Sequence, residues 1–178
     1  VTGENDLPDA APDSATVGED DLAPTPIDVL ANDTDPDGSD DLGILSVDDT
    51  GTTGTVTIDD GGTPTDPTDD VVLYDPNGQF DTLAVGETAI DTFTYTVTDG
   101  NGGTDTETVT VTITGENDLP DAAPDSATVG EDDQNPTPID VLANDTDPDG
   151  SDDLGILSVD DTGTTGTVTI DDGGTPTD

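Results

Sequence analysis

Two neighbouring stretches of the chain alternate apolar residues with threonine, and this pattern constrains the fold more than any other feature. Two aromatic residues and a valine alternate with Thr in residues 91–99, and Val and Ile do so in residues 104–114. A period of two places all the apolar side chains on one face of a strand. The intervening D-G-N-G-G at 99–103 favours a tight turn. These stretches therefore predict a long β-hairpin with one buried face and one Thr-lined face.

Shorter segments of similar character predict further strands, and no stretch has apolar residues at helical spacing. Clusters of Gly, Pro or Asp separate the candidates, which lie near Ser14–Val17, Ile27–Leu30, Leu42–Val47, Gly54–Ile58 and Val71–Tyr74. Seven or so short strands in about 110 residues predict an all-β, antiparallel β-sandwich. Threonine is a good strand former on a solvated face, and binding of ice or another regular surface by the Thr rows is a sharper alternative.

The sequence repeats itself with a period of 112 residues. Residues 1–66 return as residues 113–178 with three differences, where Val1, Leu22 and Ala23 become Ile113, Gln134 and Asn135. A period of this length is the size of a domain. We therefore expect a section of a longer tandem array, divided into the end of a preceding repeat with its linker (1–8), a complete sandwich (9–114), an acidic linker (115–120) and the N-terminal part of the next, truncated repeat (121–178), whose first strand begins near Ser126.

The charge of the chain excludes several classes of partner. It has 45 acidic residues, only six of them Glu, and no Lys, Arg or His. A formal charge of -45 excludes nucleic-acid binding through a basic surface and argues against anionic membranes. No apolar run is long enough to insert into a bilayer. With 28% hydrophobic residues and strong self-repulsion, folding is expected to need bound divalent cations or high salt.

A short acidic loop, N-D-T-D-P-D-G, is the candidate cation site. It places Asp33, Asp35 and Asp37 at alternate positions before Gly38, and the second repeat contains an identical copy. Several carboxylates on a flexible loop suit Ca2+, which takes six to eight oxygen ligands. The spacing is that of an EF-hand opening, but Ile44 stands where an EF-hand needs its bidentate Glu, and the flanks predict strands. A solvated acidic turn is the alternative.

The order of motifs resembles the cadherin-like, VCBS-type tandem repeats of large bacterial, RTX-type surface adhesins. The residues that carry this resemblance are V-L-A-N-D-T-D-P-D-G at 29–38, D-T-F-T-Y-T-V-T-D-G-N-G-G at 91–103 and T-V-T-V-T-I-T-G-E-N-D at 108–118. The resemblance implies seven-strand, Greek-key, cadherin- or Ig-like sandwiches. It also implies arrays of such sandwiches on secreted adhesins or surface filaments, often dependent on calcium.

The resemblance to cadherins also implies a set of calcium ligands. One joint would take Glu19 and Glu87 from the upper domain, residues 116–118 from the linker, and Asp145 and Asp147 from the lower domain. Over the whole chain the implied ligands are Glu4, Asn5, Asp6, Glu19, Asp33, Asp35, Asp37, Glu87, Asp99, Glu116, Asn117, Asp118, Glu131, Asp145, Asp147 and Asp149. Gly115 and Leu119 depart from the cadherin linker pattern, so one or two ions per joint are expected rather than three.

The expected function is that of a calcium-stiffened extender on a cell surface or in the extracellular space. Its partners would be the neighbouring identical repeats, with lateral association into a filament or matrix as a related alternative. A glycan- or protein-binding adhesive module is disfavoured by the scarcity of aromatic residues and the absence of Arg. Catalysis is not expected, because no His, Cys or Lys is present to activate a nucleophile. A disordered, mineral-binding chain is the last alternative, and the strict strand alternation argues against it.

Overall fold

The computed structural model describes residues 3–38, 40–63 and 65–171, so residues 1, 2 and 172–178 of the predicted segments lie outside it. Seven strands form, namely β1 (Asp13–Gly18), β2 (Thr25–Ile27), β3 (Gly43–Asp48), β4 (Thr55–Asp59), β5 (Val71–Asp75), β6 (Thr88–Thr98) and β7 (Thr104–Thr114). The described residues contain no helix that could cross a membrane. The predicted all-β fold is confirmed.

The strands build two sheets that enclose one core. One sheet has the order β1-β7-β6-β3 and the other β2-β5-β4. The chain changes sheet between β1 and β2, between β2 and β3, between β3 and β4, and between β5 and β6, as in Ig-like sandwiches. The pairing is not wholly antiparallel as predicted, because β1 runs parallel to β7. These strands lie far apart in sequence, so no tight turn imposes an antiparallel register on them.

The β6–β7 hairpin contains the two longest strands of the sandwich, with 11 residues each. Its register runs without a break from Thr88 opposite Thr114 to Thr98 opposite Thr104. The inward apolar residues predicted from the alternation are buried and pack with residues from the facing sheet, including Tyr74. The hairpin therefore fixes the position of the turn between β6 and β7. At the opposite end of the sheet it fixes the start of β6 and the ends of β7 and β1.

A buried carboxylate ties the two sheets together near one edge. Asp91 of β6 is only 6% exposed. It accepts hydrogen bonds from the Tyr74 hydroxyl (2.8 Å) and from the backbone N–H groups of Thr53 and Gly54 (both 2.9 Å at their shorter contact). A methyl group at Gly54 would meet the Tyr74 ring and hydroxyl at 2.5 Å. This close approach requires glycine at position 54.

One strand of the first repeat lies elsewhere than predicted. The segment near Ile27–Leu30 was expected to be extended, but β2 covers Thr25–Ile27 and ends there. Val29 N–H donates to the carbonyl of Ile27 (3.1 Å), a bond that closes a turn, although the Val29 side chain is fully buried. The apolar pattern identified the buried residues correctly, but burial of Val29 occurs in a turn rather than in a strand.

The second repeat contains no strand among its described residues 118–171, so the strand predicted to begin near Ser126 is wrong. The reason lies in the pairing of the first repeat. There β1 pairs with β7, β3 with β6, and β2 and β4 with β5. The repeated segment supplies counterparts of β1 to β4 only. Strands whose ladder partners are missing leave their backbone groups to water.

The chain divides into two compact units, residues 1–117 and 118–178. The first unit contains all seven strands and the hydrophobic core. In the second unit, side chains that would be buried in a complete repeat, such as Ile139 and Val168, are exposed.

Candidate metal centre

The acidic loop adopts its shape through hydrogen bonds between its own side chains and backbone. Asp35 Oδ1 accepts the Asp37 N–H at 2.7 Å, and the Asp37 carbonyl accepts the Asp40 N–H at 2.9 Å. The first bond is the Asx turn that aspartate forms readily, and the second closes a turn through Gly38. An antiparallel bridge between Asp9 and Thr34 fixes the start of the loop. The sequence D-P-D-G-S-D therefore folds back on itself.

This folding brings three carboxylates together. One carboxylate oxygen from each of Asp35, Asp37 and Asp40 lies within 4.8 Å of the others. All three side chains are partly exposed. Such a grouping could hold a metal ion, and it would be strongly repulsive without one because the chain has no cationic side chain.

The N-terminal acidic segment lies against this loop within the same unit. Asp6 N–H donates to Asp37 Oδ2 at 2.8 Å, and Asn5 Nδ2 donates to Asp99 Oδ2 at 2.7 Å. Glu4 and Asn5 line a surface depression together with Asp37, Asp40 and Asn101. The predicted linker residues Glu4, Asn5 and Asp6 are thus brought together with the loop.

Asp99 holds the hairpin turn as well as the linker. Its carboxylate accepts N–H bonds from Asn101 (2.8 Å) and Gly103 (2.9 Å), and it is only 3% exposed. The bond from Asn5, followed by these backbone bonds, lowers the pKa of Asp99 below its usual value. Asn101 Nδ2 in turn donates to Asp40 Oδ2 at 2.8 Å, so the turn and the loop support each other.

Asp33 points away from this group toward the core. Its Oδ1 accepts the Ala11 N–H and the Tyr95 hydroxyl, both at 2.8 Å. Asp13 lies beside it, where burial and the negative charge of Asp33 raise the Asp13 pKa to about 6. Burial and hydrogen bonding to Asp33 raise the Tyr95 pKa far above its usual value. The structure thus gives Asp33 a role in fixing the loop to the sandwich, and its predicted role as a ligand stays a prediction.

The loop keeps the same bonds in the second unit. Asp149 N–H donates to Asp147 Oδ1 (3.0 Å), Ala123 N–H to Asp145 Oδ1 (2.8 Å) and Asp118 N–H to Asp149 Oδ2 (3.0 Å). Each of these bonds repeats one in the first unit with both partners shifted by 112 residues. The described residues of the second unit form no strand, so these three bonds do not require a completed sandwich. Among the described residues, however, the grouping of three carboxylates is found only in the first unit.

A second group of predicted ligands lies at the opposite pole of the first unit. Glu19 follows β1, Glu87 precedes β6 and Glu116 follows β7. Glu19 Oε1 accepts the Glu116 N–H at 2.7 Å, and Glu19 is 3% exposed. Glu87 Oε2 accepts the Ala84 N–H at 3.2 Å, so it is used within its own turn.

Close packing around Gly115 explains why the linker has glycine where the cadherin pattern has an acidic residue. Its N–H donates to the Glu87 carbonyl at 3.0 Å. A side chain at this position would collide with the carbonyl oxygens of Leu83 and Ala84. An acidic residue could not occupy position 115 without moving the loop that precedes β6.

The remaining predicted ligands lie at the ends of the units or in the second repeat. Asn117 ends the first unit and Asp118 begins the second. Glu131 is exposed in a turn in which Gly130 N–H donates to Asp133 Oδ2 at 2.9 Å. The equivalent bond in the first repeat joins Gly18 and Asp21 at 3.0 Å. The turn therefore forms in both repeats, whereas only Glu19 is buried.

Sequence reasoning misses one of the three grouped carboxylates, Asp40, and the residue that donates to it, Asn101. Asp40 was passed over because it falls outside the alternating positions 33, 35 and 37. The signal was present, since an acid three residues after Asp37 and beyond a Gly is placed to return in a tight turn. Asn101 was recognised only as a turn residue, and its contact with Asp40 depends on a pairing across 61 residues.

The donor set favours a hard cation. All candidate ligands are carboxylate or amide oxygens, which suit Ca2+, Mg2+ or Mn2+ rather than softer metals. Asp35 Oδ2 is buried and accepts no hydrogen bond from the described residues, and Asp149 Oδ1 is in the same condition. A buried carboxylate oxygen without a donor is costly unless a cation compensates it. The residues therefore fit a divalent cation.

The sequence profile of the bacterial Ig domain family matches residues 5–112 and again residues 117–177. The two matches together span nearly the whole chain and agree with the seven-strand sandwich. The chain belongs to the bacterial Ig domain family. Bacterial Ig domains typically occur in surface proteins. No significant match to a curated protein sequence was found.

Proposed function

We propose that these bacterial Ig domains are extender modules of a secreted or cell-surface adhesin or filament, stiffened by calcium at the acidic loop of each domain. The observation that carries the proposal is the meeting of Asp35, Asp37 and Asp40 in a chain without any cationic side chain. The finer resemblance, to calcium-dependent, cadherin-like VCBS-type repeats, supports the choice of metal. The modules are proposed to be structural rather than catalytic.

Stiffening would follow from where the linker segment lies. Asn5 and Asp6 enter the domain next to the loop, and both already bond to acidic side chains there. A cation shared by the loop carboxylates and the oxygens of residues 4–6 would hold the linker to its domain. The linker would then be held at its C-terminal end, which restricts the angles that neighbouring domains can adopt.

The energetic gain would matter for a domain of this composition. Extracellular calcium modules bind with Kd on the order of 0.1–1 mM. At a tenfold to hundredfold excess of calcium, each site adds about 1.4–2.7 kcal/mol to the stability of the folded state. Small domains with a modest core are marginal, so this amount is a substantial fraction of the total. Calcium would also reduce the repulsion among acidic groups.

Near-identical repeats support a spacer, since a spacer needs length rather than a unique binding site. The two copies differ at three positions only. Three hydrogen bonds of the loop recur in the second repeat, which supports a repeated structural element. In this proposal the partners of each repeat are the neighbouring repeats of the same chain.

The proposal is tested by calcium binding and its effect on stability. Asp35→Asn/Asp37→Asn, with the same changes at Asp147 and Asp149, should abolish high-occupancy binding in isothermal titration calorimetry. It should also remove the rise in Tm that 10 mM CaCl2 gives the wild-type chain, on the order of a few degrees for a ligand-linked gain of this size. Asparagine preserves the shape of the side chain while removing its charge.

Asp59→Asn/Asp60→Asn, with the same changes at Asp171 and Asp172, is the matched control, because Asp59 ends β4 and Asp60 lies in the loop after it. It removes the same four charges from the chain as the loop variant does, without touching the acidic loop. The control variant should keep both the binding and the rise in Tm. If the control variant loses calcium binding as fully as the loop variant does, calcium binding depends only on the total negative charge of the chain, and the proposed site is wrong.

A further inference from the structure

One broad surface of this acidic domain carries no charge. The outward faces of β1, β7 and β6 are adjacent in one sheet. Apart from Ser14, Gly18 and Ile90, every outward position on these strands is threonine, namely Thr16, Thr88, Thr92, Thr94, Thr96, Thr98, Thr104, Thr106, Thr108, Thr110, Thr112 and Thr114. We call these fifteen positions the threonine face. Acids border the face at two places. Asp48 on β3 pairs with Thr94, and at the Gly18 corner a Cβ would meet Glu116 Oε1 at 2.6 Å and Asp21 Oδ1 at 3.6 Å.

The side chains of the threonine face are presented to solvent in regular rows. The inward residues of β6 and β7 alternate with them and are buried toward the centre of both strands, whereas the outward ones are exposed or partly exposed. The register joins them across the strands, and the hydroxyls of Thr96 and Thr106 are hydrogen-bonded at 3.0 Å. Ile90 is 62% exposed and forms a single large apolar side chain on this face.

The charge distribution indicates which occupant this surface fits. Two copies of a chain with a formal charge of -45 repel each other wherever carboxylates face carboxylates. On the threonine face they can approach without opposing charges, and methyl groups and hydroxyls can pack against their equivalents. We propose that the threonine face is a lateral contact surface for the same face of a second copy of this chain.

The area of the face predicts a weak contact. At about 3.4 Å per residue and about 4.8 Å between strands, the eleven residues of β6, the eleven of β7 and the six of β1 cover roughly 450 Å². Two such faces together bury on the order of 900 Å², below the size of a stable interface and typical of transient ones. Repetition along a tandem array would multiply the effect, because linked contacts bind with high effective concentration.

This surface is separate from the acidic loop, so its role is independent of the calcium proposal. The test is sedimentation velocity on the intact chain over a wide concentration range, in chelator and 0.5 M NaCl to screen residual repulsion. The wild-type chain should show a sedimentation coefficient that rises reversibly with concentration, with Kd on the order of 0.1–1 mM. Ile90→Asp/Thr106→Asp should weaken this association at least tenfold.

Leu22→Asp/Thr57→Asp is the matched control. It also replaces one exposed apolar residue and one exposed strand threonine with acids, but neither lies on the threonine face. It should change the association less than twofold, and far-UV circular dichroism should show both variants folded. A wild-type chain that stays monomeric at every concentration, or a control that weakens association as much as the face variant, would overturn the proposal. So would a monomeric chain that inhibits ice recrystallisation, which would assign the face to ordered water.

Discussion

Removing the buried carboxylate of Asp91 should be among the most damaging single changes in the domain. The Asp91 carboxylate accepts the Tyr74 hydroxyl and the N–H groups of Thr53, Gly54 and Thr92. In Asp91→Ala the buried Tyr74 hydroxyl loses its acceptor, which costs about 1–3 kcal/mol. The backbone donors are nearer to solvent and can recover water, so we assign them about 2 kcal/mol together. The expected loss is about 3–5 kcal/mol.

Urea unfolding followed by far-UV circular dichroism, in chelator and 0.5 M NaCl so that the wild-type chain stays folded without calcium, measures this loss directly. Tyr74→Phe removes the hydroxyl that Asp91 accepts, so the Asp91→Ala/Tyr74→Phe double variant should be less destabilised than the sum of the single ones by about 1–3 kcal/mol. Asp20→Ala is an exposed control and should change stability by less than about 0.5 kcal/mol. An Asp91→Ala variant within 1 kcal/mol of the wild type would refute the assigned role.

Three further predictions concern other parts of the chain. Asp13→Asn should stabilise the domain in chelator by about 1–2 kcal/mol at pH 7 and have no effect near pH 3.5. The reason is that the Asp13 pKa is about 6 in the folded state, so the folded state keeps a proton that the unfolded state releases near pH 3.8. The free energy of unfolding therefore falls as pH rises between these two values. The expected gain is smaller than the full pKa shift implies because Asp13 is partly exposed, and urea titrations at both pH values measure it. Gly115→Ala should lower stability by about 1–3 kcal/mol in thermal unfolding because its methyl group would overlap the Leu83 and Ala84 carbonyls, whereas Gly3→Ala, which meets no atom within 4 Å, should not. Segment 113–178 alone should give the circular dichroism spectrum of an unordered chain, and appending a copy of residues 67–114 after Asp178 should give a β-sheet spectrum; strands in the unextended segment would contradict the pairing argument.

Most of the fold could be predicted from the sequence because apolar residues in the strands recur with a strict period of two. Alternation placed β6 and β7 within three residues of their observed ends and identified Tyr95 and Val111 as core residues. It could not show that β1 runs parallel to β7, since alternation is the same for either direction. It also placed a strand through Val29, because burial in a turn produces the same local pattern as burial in a strand.

The candidate metal centre could be predicted in part from local sequence. Asp35 and Asp37 were found because loop geometry follows from neighbouring residues, and the same loop bond forms in the second repeat, whose described residues contain no strand. The contacts that support Asp40 and orient Asp33 come from distant parts of the sequence. Asn101, in the turn between β6 and β7, donates to Asp40, and the Tyr95 hydroxyl donates to Asp33. Spacing alone carries no information on such contacts.

The most direct test of the calcium-stiffened extender is small-angle X-ray scattering on a protein with several complete repeats, first with excess Ca2+ and then with chelator. The account predicts the scattering of an extended, rigid particle with calcium, and a larger spread of conformations without it. The Asp35→Asn/Asp37→Asn change in every repeat should give the chelator profile even when calcium is present. Identical rigid profiles in both conditions would contradict the account, and the acidic residues would then serve only as a highly charged surface.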